Sequence, residues 1–222
     1  MLRFFSLVLL ASALYGETIS GTILIQRKLT KHSVTSSVSL YQRGSTVQLN
    51  SDTAQNPIDF ERSHVVVWIE GEGPSHPAEA SIEQIGRRFV PDLVVIPVGS
   101  SVAFPNSDPI FRNVFSLSRP KSFDLGNYPK GESRSVRFNK AGIVYVGCHL
   151  HPNMAAAIAV TPSGRFARVD AAGKFEIPDL PPGKYSLIAW HKSAGSFRQS
   201  VQVLPGSGAQ ISFFIPLAEG AE

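Results

Sequence analysis

The chain has 222 residues, 21 Lys and Arg against 17 Asp and Glu, a formal net charge of +4 and 43% hydrophobic residues. That length admits one large or two small domains, and the scattered basic excess lacks the concentrated stripe that nucleic-acid binding requires. The densest basic patches, Arg87-Arg88 and Arg119 to Arg137, carry no interleaved aromatic ladder, so they read as solvated surface or as docking ground for acidic protein partners.

Met1-Leu2-Arg3 is a short basic start, followed by an apolar run from Phe4 to Ala13 broken only by Ser6 and Ser12, with small residues at Ala11, Ala13 and Gly16. This is the layout of a secretory signal peptide, with cleavage expected after Ala13 or Gly16. Residues 1–16 are therefore expected to be removed and the mature protein to be periplasmic or secreted. The run is too short to cross a bilayer as a helix, which takes about 20 residues. No later segment is long and apolar enough either, so no membrane span is expected in the mature chain.

Beyond the leader, helical periodicity is nearly absent. Short β-branched segments bounded by Gly, Pro, Asn, Asp and Ser predict strands at Thr18 to Ile25, Val65 to Glu70, Leu93 to Val98, Ser101 to Phe104, Ser133 to Phe138, Ile143 to Val146 and Ala156 to Thr161. Further strands are expected at Lys174 to Ile177, Tyr185 to His191, Ser200 to Leu204 and Gln210 to Ile215. The polar stretch 42–62 reads as a long loop, and one helical turn is expected around Ala78 to Gln84, between Pro77 and Gly86. Many short strands divided by turns predict an all-β sandwich or barrel architecture.

Cys148 is the single cysteine. It cannot form an internal disulfide, and in an oxidising compartment an unpaired thiol is a liability unless it is buried or held by a metal. It lies in Gly147-Cys148-His149-Leu150-His151-Pro152-Asn153-Met154, between two expected strands. A thiolate, an imidazole and a weak thioether are the donor set of copper electron-transfer sites. The plainer reading is a small buried hydrophobe beside a gap-filling methionine. The other histidines His32, His64, His76 and His191 have no assignable place near this loop.

Upstream stand Phe89-Val-Pro, Val95-Ile-Pro-Val-Gly-Ser-Ser-Val-Ala-Phe-Pro-Asn106, Phe111-Arg-Asn-Val-Phe-Ser116 and Phe123-Asp-Leu-Gly-Asn-Tyr-Pro-Lys-Gly131. Together with the Cys148 loop this order resembles the plastocyanin/amicyanin-like cupredoxins, and most closely bacterial periplasmic proteins labelled methylamine-utilisation or plastocyanin-like, over about residues 89–160. The resemblance implies a Greek-key β-sandwich in which Cys148 is an equatorial thiolate, His151 an equatorial imidazole and Met154 the weak axial ligand of a copper ion. It also implies that Asn113 fastens the two ligand loops near the thiolate. The family's remaining ligand is a histidine directly before that asparagine, and here the pair reads Arg112-Asn113. A guanidinium is not a copper ligand. His149 could substitute only if the loop refolded, because adjacent residues on an extended strand project to opposite faces.

The later stretch Asp170-Ala-Ala-Gly-Lys-Phe-Glu-Ile-Pro-Asp-Leu-Pro-Pro-Gly-Lys-Tyr185 resembles carboxypeptidase regulatory-like, or transthyretin-like, β-sandwich domains. Such a domain begins with two further strands, and Ile19 to Ile25 and Val65 to Glu70 look like that pair. The expected organisation is thus a split transthyretin/Ig-like sandwich, 17–75 plus 162–218, with a cupredoxin-like domain, 76–161, inserted. The expected function is a copper-binding one-electron carrier serving periplasmic redox or envelope proteins. A metal-free binding or scaffolding module and a copper storage or delivery protein are the alternatives. No nucleophile motif, phosphate loop or second metal cluster supports an enzyme.

Overall fold

The structure is a computed structural model that describes residues 16–30 and 56–215. The signal-peptide expectation falls almost wholly outside these residues, as do His32 and most of the stretch 42–62. In chain order the elements are β1 (Glu17–Leu24), α1 (Pro57–Ser63), β2 (Val65–Ile69), β3 (Glu79–Ser81), β4 (Glu83–Ile85), β5 (Arg88–Val90) and β6 (Leu93–Pro97). Then come β7 (Ser101–Pro105), β8 (Arg112–Ser118), β9 (Lys121–Tyr128), β10 (Ser133–Arg137), β11 (Gly142–Cys148) and β12 (His151–Thr161). The chain continues with β13 (Phe166–Arg168), β14 (Lys174–Leu180), β15 (Gly183–His191), β16 (Gly195–Val203) and β17 (Ala209–Phe214). The protein is all-β, and among the described residues no helix is long and apolar enough to cross a membrane.

Four sheets carry the fold, with strand orders β14-β1-β17, β13-β2-β15-β16, β6-β12-β11-β8-β9 and β10-β7-β3, beside the small hairpin β4-β5. β1 runs antiparallel to β14 and parallel to β17, and β2 lies between β13 and β15. Strands from both ends of the chain therefore share one apolar core, built on Ile19, Ile23, Val65, Val67, Leu187 and Phe213. A second core, including Val102, Phe104, Val144, Cys148, Met154 and Ile158, lies between the five-stranded sheet and β10-β7-β3.

The two sandwiches stack back to back. On β2, Val65 and Val67 face the first core while Val66 enters a third apolar cluster. On β15, Leu187 and Ala189 alternate with Ile188 and Trp190 in the same way. From the other side β6 supplies Leu93, and β12 supplies Ala157 and Ala159, to this middle layer. A strand covered on both faces has no polar side to show, which is why Val65-Val-Val-Trp68 and Ala155-Ala-Ala-Ile-Ala-Val160 read as unbroken apolar runs rather than alternating ones. Each large side chain buried there contributes about 1.5–3 kcal/mol, and small Ala157 and Ala159 let the sheets approach.

Two local expectations are corrected. Ala78 to Gln84 forms no helical turn: it holds β3 and β4, with Ala80 paired in register with Val102 of β7. Ile82 and Gln84 are fully buried, a period of two, and Ile82 N donates to Ala103 O at 2.9 Å. Within 42–62, the described part is not loop but α1. Asn56 caps it, its side chain accepting from Ile58 N at 3.0 Å, and Pro57 stands at the first helical position, where its missing N–H costs nothing.

Candidate functional site

β11 presents Val144, Val146 and Cys148 to the second core and Tyr145 outward. The ladder to β12 pairs Gly147 with Ala155 and then slips, so that Cys148 faces His151. Residues 152–154 are thereby accommodated as a bulge at the end of the sheet, a device that re-aims side chains. Cys148 and Met154 both point inward and are buried in the same cluster. His151 is half-buried beside them.

Arg112, the first residue of β8, also points inward and is only 1% exposed. Its Nε donates to Asp108 Oδ2 at 2.7 Å, and its Nη2 pairs with the same carboxylate. Its Nη1 lies 2.7 Å from His151 Nδ1 and 3.3 Å from Nε2. A guanidinium has only donors, so the cation lies against the imidazole with both ring nitrogens in reach. Burying a guanidinium costs several kcal/mol unless it is paired and hydrogen-bonded, and Asp108 meets that need.

Asp108 is itself held from several sides. Asn106 Oδ1 accepts from Asp108 N at 3.0 Å, while Asn106 Nδ2 donates to Ile110 O and Tyr128 O. The Asp108 carboxylate accepts further from Gly86 N at 2.6 Å and Arg87 N at 3.1 Å. Gly86 and Arg87 both have φ near +58°, the left-handed pair that a two-residue hairpin turn between β4 and β5 requires. Burial pushes the Asp108 carboxyl up, but Arg112 and the two turn amides outweigh it and hold it below the usual carboxylate range. His151 is lowered by burial and then by the nearby Arg112 and Arg87 charges. Tyr128, paired with Arg112 across β8 and β9, has an Oη that accepts from Gln84 Nε2 at 2.6 Å and donates to Phe104 O at 2.8 Å. Burial pushes that phenol up to about 12.

Asn113 ties the loop down: its Oδ1 accepts from His149 N at 3.3 Å and its Nδ2 donates to Asp124 Oδ1 at 2.7 Å. Hydrogen bonds from Gly126 N and Asn113 keep Asp124 below its ordinary pKa. The His149 ring lies outside the core, stacked on Phe115 at 3.8 Å between centroids and 6° between planes, with Nε2 3.3 Å from Asp124 Oδ2. Phe115 in turn covers Gly147, where an added Cβ would meet the ring at 3.1 Å. His149 is thus engaged away from Cys148. His64 and His191 belong to the first sandwich and its junction with the second.

The arrangement does not fit a copper cage. The buried cation of Arg112 is aimed at the loop and lies against both ring nitrogens of His151. Among the described residues Cys148 and His151 are joined by no third His, Cys, Asp or Glu in a group disposed to hold a metal ion. Sequence reasoning missed Asp108, although an acidic residue four positions before a buried arginine is the signal that finds it.

No protein-family model and no curated protein matches the chain. Among solved structures it is similar to a copper-containing nitrite reductase from Thermus scotoductus, at 25% identity over 41% of this chain with a TM-score of 0.36. The matched region spans 24% of that enzyme. It is similar also to a purple cupredoxin from Nitrosopumilus maritimus, at 22% identity over 37% of this chain and 99% of that one, with a TM-score of 0.34. A reduced mutant of amicyanin matches at 19% identity over 42% of this chain and 97% of that one, with a TM-score of 0.35.

Proposed function

We propose that this chain is an exported binding module with a cupredoxin-type sandwich that works without bound metal, its centre filled by the Arg112 guanidinium. The observation that carries the reading is the buried Asp108–Arg112–His151 chain of contacts. It holds a buried cation, paired with Asp108, against the imidazole that a copper ion on this loop would need. Around this centre Ile110, Phe111 and Leu150 are 44%, 58% and 47% exposed, beside exposed Arg87 and Arg88. An apolar patch with a basic rim fits an acidic envelope protein as partner.

The organisation we propose alongside is a split transthyretin-like sandwich, 17–75 plus 162–218, carrying the inserted sandwich 76–161. The pairing of β1 and β2 with strands after residue 165 supports it.

Copper titration of the purified mature protein tests the metal-free reading. The expected result is no intense visible thiolate-to-copper band and no copper retained after desalting. One retained equivalent with such a band would overturn it and favour an electron carrier using Cys148, His151 and Met154.

A further inference from the structure

The junction between the sandwiches contains two histidines whose surroundings sort them by protonation. His191, at the end of β15, is fully buried. Its Nδ1 lies 3.2 Å from both Ser193 N and Ala194 N. Two N–H donors there require a bare Nδ1, so His191 is neutral, with its Nε2 side 2.9 Å from Glu61 Oε2. His64, which follows α1, is the opposite case. Its Nδ1 lies 2.8 Å from Phe60 O, and its Nε2 lies 3.0 Å from Asp92 Oδ1. A carbonyl and a carboxylate only accept, and Ser63 Oγ, 3.2 Å from Nδ1, gives its own proton to Phe60 O, so both ring nitrogens carry protons and His64 is an imidazolium.

Asp92 belongs to the second sandwich, in the β5–β6 turn, where its backbone O also accepts from Ala157 N at 2.9 Å. The pair therefore spans the junction. Below it opens a cleft of about 470 Å³, lined by Phe60 and His64 from the first sandwich and by Phe89, Asp92, Asn153 and Met154 from the second. We infer that His64 is a proton-operated latch: its ion pair with Asp92 holds α1 against the β5–β6 turn, and loss of the proton loosens the cleft beside Met154.

The remaining charges facing His64 do not replace it. Lys192, after β15, and Arg88, lining the cleft, are cations, and Glu61 is occupied by Leu29 N, Thr30 and His191. Burial pushes the His64 imidazole down, but Asp92 and the Phe60 carbonyl outweigh that and hold it above its ordinary value of 6.5. Asp92, through the same bond, is held below its ordinary 3.8. The latch is thus fully closed below the ordinary histidine value and released as pH rises through the raised one; acid breaks it only when pH falls through the lowered Asp92 value.

Met154 is the only methionine besides Met1 and is 2% exposed, so its oxidation by dilute peroxide reports access to the cleft. In the full mature chain, sulfoxide formation followed by mass spectrometry is expected to be about two- to fivefold faster at pH 8.5 than at pH 6, the scale of a partly exposed ion pair. Asp92→Asn should be fast and flat across that range. In the wild type, the midpoint of the oxidation profile should coincide with the His64 ring titration seen by NMR, which tests the latch even if the variant folds poorly. Equal rates at both pH values, a midpoint apart from that of His64, or a wild-type profile in Asp92→Asn would overturn the proposal.

Discussion

Each sandwich buries charge, and the two treat it differently: a lone carboxylate in the first, an ion pair in the second. The first core encloses Glu61, fully buried, whose oxygens accept from Leu29 N, Thr30 N and Thr30 Oγ1 and contact neutral His191. Every partner belongs to the same sandwich, and the carboxylate acts as a staple between α1, the segment after β1 and the end of β15. The second core encloses Arg112, shared between Asp108 and a histidine of the Cys148 loop. A closed set of partners makes a structural charge. A charge that reaches into a loop with soft donors decides what that loop can bind.

The sharpest break in this comparison removes one buried carboxylate from each side. Asp108→Ala leaves Arg112 buried and unpaired and should destabilise the protein by about 3–5 kcal/mol in urea unfolding. Glu61→Gln keeps the volume but turns an amide toward N–H donors, and should cost about 1–3 kcal/mol. Both carboxyls lie below their ordinary values despite the burial that opposes this, because hydrogen bonds outweigh it. Their stabilisation is therefore present above those ordinary values and lost as pH falls through the lowered ones. Asp108→Asn should flatten that acid limb, and an unchanged limb would mean that Asp108 is not what compensates Arg112.

Arg112→His sharpens the comparison from the other direction. It withdraws the cation from the His151 ring and adds an imidazole on the strand facing the Cys148 loop. Copper added to this variant is expected to give an intense visible band at one equivalent where the wild type gives none. A colourless variant would place the obstacle in the loop geometry rather than in the guanidinium.

The smallest effect belongs to His149. Its ring is 55% exposed, so His149→Ala should cost no more than about 1 kcal/mol. Its effect on copper uptake in the Arg112→His background should be nil, since its imidazole faces Phe115 and Asp124. A lost band in the double variant would show the loop refolding to recruit it.

Much of this was legible from residue order. The all-β class followed from turn residues between short β-branched runs, and the candidate loop from Cys, His and Met at fixed spacing. The strands β8 and β9 were harder, because Arg112, Asn113 and Ser116 put polar groups on buried positions and so mask the alternation. α1 was hidden in a polar stretch that declares itself only through Asn56-Pro57, and β3–β4 resembled a helical turn because Ala and Gln suit either state.

By itself the sequence determined that Arg112 stands directly before Asn113, that Cys148, His151 and Met154 share one loop, and that Val65 to Trp68 and Ala155 to Val160 are unbroken apolar runs. Only the tertiary structure decided which way the guanidinium points. Side-chain direction at the start of a strand is set by what lies across the core, and here that is Asp108, anchored by Asn106 and the Gly86-Arg87 turn. The same holds for His64, whose charge rests on an aspartate 28 residues away in sequence. Spacing within a loop is local information, whereas the partner of a buried charge is not, because it comes from strands that meet only once the sandwich has closed.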